Sequence, residues 1–156
     1  MLNKFAEVSA EMSHYKTAII RITETWLKPS SLTSFYSVEG YRSFFNNRVA
    51  TSGGGTMILV TDECFSKQVA CDVTNNDAYN ICAVVIGKGR TQTVVVCVYR
   101  APWATLGDME DMCQLIDNIL IKYTNIVVVG DFNLSSSTAG AIELIGDLIS
   151  QHGYVR

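Results

Sequence analysis

Apolar and polar positions along this chain alternate between two periods. Phe5, Val8, Met12 and Tyr15 are spaced three or four apart, with Glu7 and Glu11 facing elsewhere, and this stripe predicts a first helix. The chain then rises into Thr17–Thr23 (TAIIRIT), dense in β-branched residues and sparse in charge, which reads as a buried strand. Ser30–Asn47 is turn-rich and aromatic, and the run Gly53-Gly54-Gly55 breaks it before Thr56–Thr61 (TMILVT) restarts a strand. Asn80–Ile86 and Thr91–Arg100 read as two strands joined through Gly87-Lys88-Gly89-Arg90, a hairpin signal. From Asp108 to Tyr123 the residues Met112, Leu115, Ile116, Ile119 and Leu120 share one helical face, with acidic residues in the first turn. Asn125–Val129 (NIVVV) is a short apolar run ending at Gly130, as expected of a strand covered on both faces. Ser135–Thr138 is a polar loop and Ala141–Gln151 a last amphipathic helix. Without repeats or a linker, the pattern predicts one mixed α/β domain over residues 1–156, with helices packed on a largely buried sheet.

Composition narrows this picture. With 48% hydrophobic and 17% charged residues, the chain is neither disordered nor of low complexity. Twelve Lys+Arg against fifteen Asp+Glu leave a net charge of −3, which excludes clamping nucleic acid by charge alone. No apolar run approaches the roughly 18 residues of a membrane span. Lys4, Glu7, Glu11 and His14 interrupt the N-terminal stretch that a signal peptide would need. The expected setting is therefore intracellular, with no membrane. Five cysteines form an odd set with no CxxC and no histidine at ligand spacing, which points to thiols packed as small hydrophobes in a reducing compartment.

Three segments place polar side chains directly at the end of an apolar strand: Glu24 in ITETWL, Tyr99 and Arg100 in VYRAP, and Asp131 and Asn133 in VGDFN. Strand ends are where a sheet presents side chains to a crevice while its core stays dry. Two carboxylates meeting there suit Mg²⁺, which prefers oxygen ligands and is commonly held by one or two carboxylates plus substrate phosphate. Each signal alone has a plain explanation. Asp-x-Asn after a strand forms turns, a glutamate there is a solvated end, and Tyr-Arg before Pro102 is a strand exit whose arginine forms a surface salt bridge. Their joint appearance is what points to a site.

In this order, ITETWL, GGGTMILV, VVVCVYRAP and IVVVGDFN resemble the exonuclease–endonuclease–phosphatase family, above all the endonuclease domains of LINE-type (non-LTR) retrotransposons. The preceding LNKFAEVSAEM is similar to the family's first helix. The resemblance implies a four-layer α/β sandwich that hydrolyses phosphodiesters or phosphomonoesters with Mg²⁺ or Mn²⁺, and DNA as the partner, with a nuclear location conceivable and no protein partner evident. It implies that Glu24 binds the metal, that Asp131 and Asn133 orient the attacking water and the scissile phosphate, and that the Tyr99 hydroxyl contacts the phosphate. Arg48 falls where relatives often carry a basic residue, in a solvated or DNA-contacting loop, and Arg100 is a second candidate for phosphate.

Parts of the family pattern have no match. The family's first strand ends in an asparagine, and Asn3 comes too early to replace it. The family closes on an aspartate and a Ser-Asp-His segment, whereas His152 stands in a Gln-His-Gly context at the end of the last helix and His14 on the first helix. The expectation is a partial sandwich lacking its first and C-terminal strands, from a retroelement reading frame with a reverse transcriptase beyond, and weakly active or inactive as this segment. A non-catalytic remnant or binding module of the same fold is the first alternative. Another phosphoesterase of the superfamily, such as a deadenylase, an inositol-phosphate phosphatase or a sphingomyelinase, is the second.

Overall fold

A computed structural model of the chain describes residues 5–28, 30–31, 36–48, 50, 52–69, 77–134 and 139–151. Helix α1 (Phe5–Tyr15) leads into strand β1 (Ile19–Thr23), followed by β2 (Tyr41–Asn46), β3 (Thr56–Thr61), β4 (Ser66–Gln68), β5 (Tyr79–Ile86) and β6 (Thr93–Arg100). Helix α2 (Leu106–Leu120), strand β7 (Asn125–Asp131) and helix α3 (Ala139–Gln151) complete it. The strands form two sheets. One runs β1-β3-β2, all antiparallel, and the other β4-β5-β6-β7, in which only β6 and β7 are parallel.

Period-two alternation in the central strands explains how four layers stack. In β3, Met57 and Leu59 face α1 and join Phe5, Met12 and Leu27, while Ile58 and Val60 face the second sheet. In β5 and β6, Cys82, Val84, Val95 and Cys97 meet that inter-sheet core, while Ile81, Ala83, Val94, Val96 and Val98 turn the other way to Met109, Met112 and Ile116 of α2 and to Ile145 and Leu148 of α3. The order helix–sheet–sheet–helices is the four-layer sandwich expected from the motifs. The α2 N-terminus is fixed by a capping box: Thr105 accepts from the Asp108 amide at 3.2 Å and the Asp108 carboxylate accepts from Thr105 N–H at 2.9 Å. The helix thus starts at Leu106, two residues before the stripe suggested.

Several elements differ from the sequence expectation. The aromatic stretch before Asn47 contains β2; its adjacent Phe44 and Phe45 face opposite sides, toward the inter-sheet core and toward α1, so no polar alternation betrays the strand. Strand β4 reads SKQ and lies at a sheet edge, which asks for no apolar side chains. Strands β1 and β7 are also edges among the described residues, not buried strands: Ile19 is 37% and Val127 45% exposed. Between these two edges the inter-sheet space opens as a cleft of about 450 Å³, lined by residues including Ile19, Arg21, Ile86, Val127 and Val129. The hairpin between β5 and β6 is as expected, turning through a single 3₁₀ turn at Gly89–Thr91.

Cys64, Cys82, Cys97 and Cys113 are free thiols, and burial pushes Cys97 and Cys113 up to about 11, consistent with packed side chains. His14 is exposed, its ring edge-on to Tyr15. Asn3, Cys71, the Ser135–Thr138 loop and His152 lie outside the described residues. No helix among those described is long and apolar enough to cross a membrane.

Candidate active site

Glu24, Tyr99 and Asp131 come together at the carboxyl ends of β1, β6 and β7, the first from one sheet and the other two from its partner. Tyr99 continues the inter-sheet face of Val95 and Cys97, and its Cα stands in register with that of Asp131. Its phenol and the Glu24 carboxylate are close enough for each to shift the other's ionisation. One hydroxyl thus meets the opposite sheet where both strands run out.

A glycine loop positions Glu24. Beyond β1 the chain stays paired: Thr25 N–H donates to Gly55 O at 3.3 Å and Trp26 N–H to Gly54 O at 2.9 Å. Gly53, Gly54 and Gly55 take φ of +86°, +66° and +84°, three left-handed residues in succession that favour glycine. A Cβ on Gly54 would also lie 2.6 Å from the Arg48 guanidinium carbon. Freed to approach, the Gly54 N–H donates to Glu24 Oε2 at 2.8 Å, and the Trp26 indole N–H donates to the same oxygen at 2.5 Å. Asn80, buried on β5, accepts from Gly55 N–H at 2.9 Å and so anchors the loop to the second sheet. Sequence reasoning overlooked Asn80; the one available signal was an amide at the start of an otherwise apolar strand.

Glu24, Trp26 and Asn133 are non-glycine residues held at positive φ, +56°, +57° and +46°; outside the site only Lys16 shares this among the described residues. Such conformations cost roughly 1–3 kcal/mol each and cluster at functional sites. Burial acts to raise the Glu24 carboxyl, but the hydrogen bonds from Tyr99, Gly54 and Trp26 and the charge of Arg48 outweigh it and hold the group below its ordinary range. Glu24 is therefore an anion at neutral pH. Tyr99 is pushed the other way, to about 12, first by burial, then by its hydrogen bond to Glu24 and the charges of Glu24 and Asp131. It keeps its proton and remains a donor.

The fold raises the Tyr99 pKa above its ordinary 10.0, so its contribution to stability is full below about 10 and fades as pH climbs through about 12. Ultraviolet titration is expected to show a tyrosine ionising near 12, a step missing from Tyr99→Phe. Identical titration of the two proteins would contradict this placement.

Asp131 is exposed at the end of β7. Its Oδ1 accepts from Asn133 N–H at 3.1 Å, the Asx turn that Asp-x-Asn favours. The Asn133 side-chain amide donates to Arg100 O at 2.6 Å, which ties the β7 exit to the β6 exit. Arg100 is no surface salt-bridge residue: it is 1% exposed and donates to the carbonyls of Ala104, Asn133 and Phe132. Arg48 is not solvated either. It is 4% exposed, with its guanidinium carbon 5.4 Å from the Tyr99 ring centroid and 6.0 Å from that of Trp103.

Among the described residues, no three His, Cys, Asp or Glu side chains gather closely enough to hold a metal through protein ligands alone. Glu24 and Asp131 are hard oxygen donors that both act on the Tyr99 phenol, one of them held ionised, and this set fits Mg²⁺, which needs only one or two carboxylates and completes its shell with water and substrate oxygens.

The fold is that of the endonuclease/exonuclease/phosphatase proteins. The endonuclease domain of TRAS1, a telomere-specific non-LTR retrotransposon, superposes with a TM-score of 0.69 at 22% identity, covering 95% of this chain and 65% of that one. The AP endonuclease LMAP from Leishmania major gives 0.74 at 10% identity, over 97% and 62% of the two chains. D. rerio TDP2 complexed with a single-strand DNA product gives 0.56 at 12%, over 98% and 58%. The chain therefore spans less than two thirds of the length of these neighbours. No protein-family signature and no curated protein sequence matches it.

Proposed function

We propose that this chain carries the metal-holding and water-orienting part of a Mg²⁺-dependent phosphodiester hydrolase acting on DNA, of the retrotransposon-endonuclease kind, with an intracellular, nuclear site of action. The observation that supports it best is the convergence of Glu24, Tyr99 and Asp131 at three strand ends, with Glu24 held ionised and Tyr99 held protonated. The neighbours' descriptions, two endonucleases and one protein with a DNA product, accord with that chemistry.

Glu24 would hold the metal, with water and substrate oxygens completing its shell. Mg²⁺, when bound, neutralises charge on the phosphate and raises the acidity of water. Asp131, exposed and at the site's edge, aligns a water and accepts its proton. Asn133, fixed by Asp131 and Arg100, borders the scissile phosphate. Tyr99 donates its hydroxyl to a phosphate oxygen, which competes with Glu24 for the same proton. Among the described residues Asp131 is the proton acceptor on which this reading rests.

Plasmid nicking tests the reading. The purified chain with Mg²⁺ is expected to relax supercoiled plasmid slowly, while Glu24→Gln and Asp131→Ala fall to the rate without protein. Nicking that persists in both variants would place the chemistry elsewhere.

A further inference from the structure

Three features have no role in hydrolysis beyond what Trp26 and Arg48 do to hold Glu24 ionised. The first is Arg48. Its Nη1 donates to Ser52 O at 3.3 Å, but Nε and Nη2 are buried and have no hydrogen-bond partner. Unpaired buried donors on a charged group are costly and uncommon, and an arriving anion would satisfy them. The guanidinium lies next to the metal-site carboxylate: a Cβ on Gly53 would be 3.8 Å from Arg48 Nη1 and 3.7 Å from Glu24 Oε2.

The second is the placement of the chain's two tryptophans. Trp26 is 63% and Trp103 60% exposed, and both stand at this site. Trp26 is tethered through its indole N–H to Glu24 while most of its ring stays open to solvent. Trp103 follows β6 and lies against the Arg48 guanidinium. Large aromatic side chains are usually buried, and two left open, one on Glu24 and one on Arg48, call for a ligand with flat faces.

The third is charge. At −3 the protein has no positive field with which to gather a polyanion, so contacts other than charge must supply affinity. Stacking of unpaired bases on aromatic rings supplies roughly 1–3 kcal/mol per base and does not depend on sequence.

We propose that Arg48, Trp26 and Trp103 form a subsite for single-stranded nucleic acid beside Glu24, with Arg48 taking a backbone phosphate and the two rings stacking on unpaired bases. Trp103 exchanges its contact with the guanidinium for a base as the phosphate enters. The subsite rests on the hydrolase reading for the identity of its polymer, but it binds without metal and can be tested apart from turnover. It also assigns a preference: bases stacked inside a duplex are not available to the rings, so strands with unpaired bases are favoured.

Fluorescence polarisation of a labelled deoxythymidine oligomer, in buffer with a chelator, measures this binding. The oligomer is expected to bind at least tenfold tighter than a duplex, and than a strand of equal length lacking bases. Trp26→Leu and Trp103→Leu are each expected to weaken binding about tenfold. Arg48→Met is expected to weaken it and to reduce the slope of log affinity against log salt by about 0.7. Both tryptophans are surface residues, so their variants report on the subsite even if Arg48→Met fails to fold. Equal affinity for the strand without bases, or unchanged affinity in both tryptophan variants with native circular dichroism, overturns the proposal. Nicking assays separate the two readings. Tryptophan-dependent binding without Mg²⁺-dependent nicking keeps the subsite and rejects the hydrolase, whereas nicking with tryptophan-independent binding does the reverse.

Discussion

Replacing Gly130 with alanine is expected to destabilise the protein by about 3 kcal/mol or more, the large end of overpacking costs. Gly130 sits in β7 with its Cα in register with Val98 of β6. A Cβ there would lie 2.7 Å from the Val98 carbonyl carbon and 2.9 Å from its nitrogen, and its contact with the carbonyl oxygen is closer still. All three atoms are backbone, so no side chain can swing aside. The strands would have to part, and the parallel ladder that sets Asp131 opposite Tyr99 would open with them. The glycine of GDFN is thus a packing requirement of the strand that delivers the aspartate. Gly146→Ala in α3 is the control: nothing lies within 4 Å of its added methyl, and alanine is expected to stabilise that helix by roughly 0.5–1 kcal/mol. Urea denaturation of both variants checks the pair, and similar midpoints would contradict the account.

Arg100→Met is expected to cost about 3 kcal/mol or more. Methionine keeps much of the apolar length but supplies no donor for the carbonyls of Ala104, at 2.5 Å, Asn133, at 3.3 Å, and Phe132, at 3.5 Å. The bond from the Asn133 amide to Arg100 O runs the opposite way and closes a reciprocal clamp between the exits of β6 and β7. Its loss should loosen the turn carrying Asp131, so activity falls beyond what stability explains. Arg100→Lys retains the charge but not the planar fork, and an intermediate loss is expected. Thermal denaturation that leaves Arg100→Met within 1 kcal/mol of the parent would show that the clamp contributes little.

The strand ends were legible in the sequence because they carry their own punctuation. Glu24, Tyr99 and Asp131 each follow a run rich in β-branched residues, which placed them at strand ends, whereas the roles expected of them came from the motif resemblance. The layered arrangement was legible as well, since Met57 to Val60 and Val94 to Val98 are apolar on both faces and must be covered twice. The arginines were not legible. Whether a guanidinium beside a proline or a glycine run faces solvent or interior depends on which carbonyls and rings the loops bring to it. Arg48 meets Tyr99 and Trp103, and Arg100 meets Asn133, only through tertiary contacts. Strand β2 escaped notice because its two phenylalanines serve two different cores, and β4 because a short edge strand needs no apolar pattern.

The most direct measurement of the central claim is a Mg²⁺ titration followed by amide chemical shifts in the labelled protein. Saturable changes confined to the segments around Glu24, Gly54, Tyr99 and Asp131, and abolished in Glu24→Gln, are the predicted result. Shifts centred on another acidic group, such as the first turns of α2, or no saturable change at all, would contradict a metal site at these three strand ends.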